Sequence, residues 1–289
     1  MSSPAIWWEG ARPRTLGAAI VPVAVGAAAS GQPTVLRTAG ALVVALGLQV
    51  GVNYANDYFD GVRGVDGGAR VGPRRLVAGG LASPCSVAGA ALISFLVAAA
   101  AGLVLAIAVQ PLLILIGAAA IAAAVLYSGG PRPYAVLGLG EVAVFLFFGP
   151  VATCGTAYVE VGHIPAQAWW TALPVGLLAV ALLIVNNLRD IPTDRAAGKR
   201  TLAVRIGDTP TRYLYVVAIL AAIVLPVAAA VVGGLPRMAI IVVAAVPLMG
   251  GILRSVGSAS GAALIPALVA TARLHLAVGL LLTVGLSVR

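Results

Sequence analysis

Along this chain apolar residues run in long unbroken stretches rather than at every second position, and that pattern predicts helices long enough to cross a bilayer. A hydrocarbon layer of roughly 30 Å takes about 20 residues of helix, and within it every backbone amide must be satisfied inside a helix or a closed barrel. The stretches alternate too little and run too long for barrel strands. Nine spans are expected, near residues 16–31, 36–55, 84–108, 111–129, 138–159, 167–188, 212–232, 236–254 and 273–288. Ser83-Pro84 and Gln110-Pro111 read as helix starts because proline fits the first turn, whereas Gly129-Gly130-Pro131 and Gly233-Gly234 read as breaks. The expected fold class is all-α: a polytopic membrane protein with nine transmembrane helices, in which residues 1–289 form a single integral-membrane domain. Ahead of the first span, Trp7, Trp8, Arg12 and Arg14 occur without an A-x-A-type cleavage site, so no signal peptide is expected and the tryptophans are read as an interfacial anchor.

Composition removes other classes. With 61% hydrophobic and only 9% charged residues, a soluble domain is excluded. Charge then tests the span count, because an error of one span would scramble the side on which each loop lies. With the N-terminus inside, the cytoplasmic segments hold Arg12, Arg14, Arg63, Arg70, Arg74, Arg75, Arg132, Arg189, Arg195, Lys199, Arg200, Arg205, Arg212, Arg254 and Arg273, while Arg37, Arg237 and Arg289 fall outside. That is 15 of the 18 basic residues on one side, the bias that cytoplasmic loops carry. The net charge of +9 therefore reads as a topology signal and an attraction for anionic membrane lipid or substrate, with no nucleic-acid partner expected. Seventeen arginines against one lysine, amid abundant alanine and glycine, point to a GC-rich bacterial source, and so to a multi-pass protein of the cell membrane with a cytoplasmic N-terminus and active site. Cys85 and Cys154 lie in apolar runs without C-x-x-C spacing and read as small core residues.

Two polar stretches stand out from this background. The first, 53–66, places Asp57, Asp60 and Asp66, three of nine acidic residues, directly after a long apolar run. On a helix Asn53, Asp57 and Asp60 fall at i, i+4 and i+7 and share a face, where like charges repel and a divalent cation is the usual remedy. The second, 186–201, is read as the loop after span six and echoes the first: Asn186, Asp190 and Asp194 recur at i, i+4 and i+8, and Gly64 and Gly198 each follow an aspartate by four residues. A four-span parallel repeat would set both acidic ends on the cytoplasmic side, facing one another across a cavity. Each cluster mixes in cations, Arg63 and Arg70 beside the first and Lys199 and Arg200 beside the second. Mg²⁺ binds through one or two carboxylates plus substrate phosphates, with Lys or Arg taking the remaining phosphate charge, so a diphosphate suits this combination.

Here the sequence resembles the UbiA superfamily of intramembrane aromatic prenyltransferases. The likeness spans nearly the whole chain and rests on Asn56-Asp57-Tyr-Phe-Asp60 with Asp66, on Asn187-Leu-Arg-Asp190-Ile-Pro-Thr-Asp194 with Gly198-Lys199-Arg200-Thr201, on Tyr127-Ser-Gly-Gly-Pro-Arg132-Pro-Tyr134, and on Ala11-Arg12-Pro13-Arg14-Thr15. The third stretch points to the branch that serves menaquinone synthesis. One departure from the superfamily's Asn-x-x-x-Asp-x-x-x-Asp is that Gly64 follows Asp60 by four, and the next acid is Asp66. The resemblance implies a helical bundle around a central cavity open to the cytoplasmic side and to lipid, in which a polyprenyl diphosphate donates its chain to 1,4-dihydroxy-2-naphthoate. It implies Mg²⁺ on Asp60, Asp66, Asp190 and Asp194 with Asp57, assisted by Asn53 and Asn56, and Lys199 on the leaving group. It further implies substrate contacts from Arg63, Arg70, Tyr127, Arg132, Tyr134, Asn187 and Arg200.

Plainer readings compete. The acidic clusters could be solvated helix ends, Arg132 and Tyr134 a loop anchor, Glu141 either a helix N-terminal acid or a pocket residue, and His275 an interfacial or packed side chain; Tyr54, Tyr58 and Phe59 read as core. A sister prenyltransferase with 4-hydroxybenzoate or homogentisate as acceptor is the nearest alternative. A secondary transporter is the distant one, since ion-coupled carriers place ionisable groups near the bilayer midplane. Eight of the nine acids, all but Glu160, fall on the cytoplasmic side of the expected topology.

Overall fold

A computed structural model describes residues 3–64 and 74–288. The described residues form twelve α-helices and no strand: α1 (Pro4–Gly10), α2 (Gly17–Ser30), α3 (Val35–Val62), α4 (Pro84–Ala108), α5 (Leu112–Ser128), α6 (Gly140–Leu146), α7 (Gly155–Val161), α8 (Ala166–Ala196), α9 (Leu202–Ile206), α10 (Asp208–Val231), α11 (Val246–Ser258) and α12 (Ile265–Ser287). Among the described residues, seven helical stretches are long and apolar enough to cross a membrane, and an eighth follows if Pro4–Thr15 and Gly17–Ser30, bent by 52°, count as one broken span. The protein is thus an all-helical, multi-pass membrane protein. Leu112–Ser128 is a shorter apolar helix of 17 residues.

Local signals place several boundaries. Ser83 caps α4, its side chain accepting from Ser86 N at 3.2 Å, and Pro84 occupies the first turn. Trp7 packs edge-on against Tyr54 with ring centroids 5.8 Å apart, and the Tyr54 hydroxyl donates to Trp7 O, which seats α1 against α3. Other boundaries differ from expectation. α3 and α8 continue about two turns past their apolar runs, so the stretch read as a loop after span six is helical through Ala196 despite Pro192. The last span begins near residue 261 rather than 273, because Pro266 sits in the first turn of α12, where its missing N–H costs nothing. His275 therefore lies inside that helix and is buried. Cys85, expected in a core, is exposed at the start of α4, while Cys154 is buried.

α8 is the centre of the bundle, packing against α2, α6, α9, α10 and α12. Its crossing with the preceding span is close. Phe147–Cys154 joins α6 to α7 as a π-helical turn, since Pro150 lacks an N–H and its ring crowds the carbonyl one turn back. A Cβ on Gly149 would lie 2.8 Å from Ala172 O, and one on Gly176 would lie 3.0 Å from Gly149 Cα, so only glycines allow this approach. A second core joins α1, α3, α4 and α5 with Leu76. Leu92, Leu96 and Ile107 on α4 and Leu115 on α5 are exposed, as lipid-facing side chains are.

Candidate active site

The last turns of α3 and α8 carry both polar stretches to one end of the bundle, where they meet across a cavity of about 1190 Å³. Asn53, Asn56 and Asp60 line it from α3, Asn186, Asn187, Asp190 and Asp194 from α8, and Lys199 from the turn that follows. Leu48 of α3, Leu105 of α4, Leu113 and Ile121 of α5, and Phe147 and Val151 of the π-helical turn line the rest. One enclosure has a charged end and an apolar one, the division that an amphiphilic ligand requires.

Ion pairs organise the charged end. Asp60 Oδ2 accepts from Lys199 Nζ at 3.2 Å and lies 3.5 Å from an Arg75 guanidinium nitrogen, so one carboxylate ties α3 to the turn after α8 and to the chain before α4. Asp190 takes two nitrogens of Arg189, at 2.6 and 2.7 Å. Such pairing is what permits charge in a low-dielectric interior. Among the described residues no three His, Cys, Asp or Glu side chains converge into a ready-made metal cage. The carboxylate and amide oxygens from two helices are instead hard donors that suit Mg²⁺ held together with waters and an anionic ligand.

The other expected site residues fall out unevenly. Asp57 does not line the cavity: it is buried, its two oxygens accepting from Leu76 N at 2.9 Å and Val77 N at 3.0 Å. At 100° per residue it stands a quarter-turn from Asn56, so the cavity face is Asn53, Asn56 and Asp60 rather than Asn53, Asp57 and Asp60. Asn53 Nδ2 donates to Ala11 O at 2.8 Å, and Asn56 Oδ1 accepts from the Ser128 hydroxyl. Arg63 reaches the cavity edge but donates to Ser128 O and Gly130 O at 2.7 and 2.5 Å, capping α5. Arg200 is exposed between inward-facing Lys199 and Thr201, because successive side chains of an extended segment alternate. Arg132 is likewise exposed, beside buried Pro133, and neither arginine lines the cavity. Tyr127 and Tyr134 do, their rings edge-to-face at 5.4 Å. Burial pushes the Tyr134 phenol up to about 12, keeping it a neutral donor to Ala123 O at 2.7 Å. Asp66 and Arg70 lie outside the described residues.

The UbiA prenyltransferase family profile matches residues 19–263. The chain belongs to that family. Among curated relatives it is 51% identical over 218 residues to a 1,4-dihydroxy-2-naphthoate octaprenyltransferase of Mycobacterium tuberculosis, covering 74% of each chain. It is 37% identical over 215 residues to the Escherichia coli protein of the same description, covering 71% of this chain and 70% of that one. Its fold matches an apo UbiA homolog from Aeropyrum pernix K1 with a TM-score of 0.72 at 18% identity, over 95% and 97% of the two chains. It also matches a UbiA homolog from Archaeoglobus fulgidus bound to DMAPP and Mg²⁺, with a TM-score of 0.65 at 16% identity over 98% and 99%.

Two cavity residues of this UbiA-family chain escaped the sequence reading. Arg75 is 8% exposed and reaches Asp60, yet nothing in the sequence separates it from its neighbour Arg74, which pairs with Glu9 at the surface. Arg12 lines the cavity with a left-handed backbone (φ 56°, ψ 65°) immediately before Pro13. A non-glycine residue there is strained by about 1–3 kcal/mol. The Ala-Arg-Pro-Arg-Thr stretch marks this position in the sequence but does not show what the arginine does.

Proposed function

We propose that this protein transfers a polyprenyl chain from a polyprenyl diphosphate to 1,4-dihydroxy-2-naphthoate with loss of CO₂, giving demethylmenaquinol. The observation that carries this reading is the two-ended cavity, with carboxylates and Lys199 at one end and an apolar tunnel of α3, α4 and α5 at the other. The octaprenyltransferase relatives that are 51% and 49% identical over 74% of this chain support the choice of acceptor. The same reading holds that α5, at 17 residues about 25 Å long, completes a nine-span bundle, with the cavity open to lipid and to the cytoplasmic face of a bacterial cell membrane.

Asp60, Asp190 and Asp194, with Asn56 and with Asp66 from beyond the described residues, would hold Mg²⁺, and Asp57 is left to structure. When bound, that ion neutralises charge on the departing diphosphate. Lys199, already at the charged end, meets phosphate oxygens as a compact point charge. The apolar wall takes the isoprenoid and keeps water from its allylic carbon, where positive charge develops as the C–O bond breaks. The ring carbon bearing the carboxylate attacks that carbon. The electron pair of the C–CO₂ bond then returns to the ring, so diphosphate and CO₂ leave and no additional proton is required. Purified protein with Mg²⁺, a polyprenyl diphosphate and a panel of aromatic acids tests this by product mass. Prenylated, decarboxylated naphthoquinol is the expected product. A product formed only from 4-hydroxybenzoate or homogentisate overturns the choice of acceptor, and no prenyl product from any acid overturns the reading.

A further inference from the structure

We infer that Glu141 is a positioning residue, which fixes the Asn187 amide so that its carbonyl oxygen, together with the Tyr127 hydroxyl, reads one ring hydroxyl of the aromatic acceptor. The inference rests on the proposed function and extends it to a residue outside both acidic stretches.

Glu141 stands at the start of α6 and is only 7% exposed. Its Oε1 receives Asn187 Nδ2 at 2.9 Å. Glu141 is the acceptor in this bond, so the amide turns its NH₂ toward Glu141 and its carbonyl oxygen elsewhere. Asn187 lines the cavity, and its Oδ1 has no hydrogen-bond partner among the described residues. The preceding residue brings in the second group. Gly140 faces Tyr127, where a Cβ would stand 3.7 Å from the hydroxyl oxygen; Tyr127 too lines the cavity, and its hydroxyl has no hydrogen-bond partner among the described residues. Gly140-Glu141 thus joins an oriented acceptor on α8 to a donor on α5. An acceptor oxygen and a donor hydroxyl lining one cavity suit a phenolic hydroxyl, which gives one hydrogen bond and takes another. Donation from the ring hydroxyl to Asn187 Oδ1 also moves electron density into the ring, toward the carbon that attacks. Without Glu141 the amide is free to turn its NH₂ into the cavity, which places a donor against a donor.

The test compares wild type, Glu141→Ala and Glu141→Gln in steady-state kinetics with each substrate varied. Two competing analogues, 1-hydroxy-2-naphthoate and 4-hydroxy-2-naphthoate, are used as inhibitors. Glu141→Ala is expected to lower kcat/KM for the naphthoate about tenfold while KM for the prenyl diphosphate stays within about twofold. Glu141→Gln retains an acceptor oxygen and should stay within about threefold of wild type. In wild type one hydroxyl deletion should weaken inhibition about tenfold, and in Glu141→Ala the same deletion should matter less than about twofold. Equal losses for both substrates in the Ala variant, or unchanged sensitivity to hydroxyl deletion, overturn the inference while leaving the function standing. A wild type that does not prenylate 1,4-dihydroxy-2-naphthoate overturns both.

Discussion

Lys199 is the single lysine among seventeen arginines, and in the structure it reaches 139 residues back along the chain to Asp60. Replacing it by alanine removes one cation from a carboxylate that Arg75 still holds, so the fold should survive. What should suffer is capture of the donor: a charge-assisted contact of about 1.5–3 kcal/mol corresponds to a roughly ten- to hundredfold loss in kcat/KM for the prenyl diphosphate. Varying each substrate separately checks this, and an unchanged donor dependence would reduce Lys199 to an anchor for Asp60. Asp57 has the opposite character. Asp57→Ala leaves the Leu76 and Val77 amides without their acceptor, at about 1–3 kcal/mol for a buried donor, and frees the segment that presents Arg75. Faster tryptic cutting at Arg74 and Arg75 with unchanged helix content is expected; equal cutting rates would refute this role. The sequence could not separate these aspartates, because Asn53–Asp57 and Asn56–Asp60 are both i, i+4 pairs. Which pair faces the cavity depends on where α8 lies about α3, and one helix holds no record of that.

At the scale of elements, hydrophobic runs marked where helices lie but not where they end. α3 and α8 outlast their apolar stretches because the polar residues of their final turns face a protein cavity rather than lipid, and hydropathy has no term for that surface. The π-helical turn at Phe147–Cys154 was equally hidden, since Pro150 in an apolar run signals a break without saying how the chain absorbs it. The small residues around it carry the packing. A Cβ on Gly26 would stand 2.3 Å from Thr153 O, and one on Gly149 2.8 Å from Ala172 O, both backbone atoms with little room to move. Gly149→Val and Gly26→Val should therefore each destabilise the protein by about 1–3 kcal/mol through overpacking, read as a lower unfolding midpoint in detergent. Gly89→Val, where a Cβ meets nothing within 4 Å, is the control. Equal midpoints in all three would contradict this crossing.

For the whole molecule, the cavity joins what the chain keeps far apart: residues of α3 and α8 at its charged end, and of α3, α4 and α5 at its apolar end. The motif residue types made a diphosphate and a divalent cation legible in the sequence, while the size of the apolar end is a tertiary property that no stretch encodes. If both ends serve one reaction, diphosphate leaves only when the ring attacks, and each attack on the carboxylated carbon releases one CO₂. The most direct measurement is the yield of diphosphate and CO₂ from protein reconstituted in vesicles with polyprenyl diphosphate, 1,4-dihydroxy-2-naphthoate and Mg²⁺. Equal amounts of both are expected, abolished by excess chelator and lowered at least a hundredfold by Asp190→Ala or Asp194→Ala. Diphosphate released without matching CO₂, or full turnover with the metal shown to be absent, would contradict the proposed reaction.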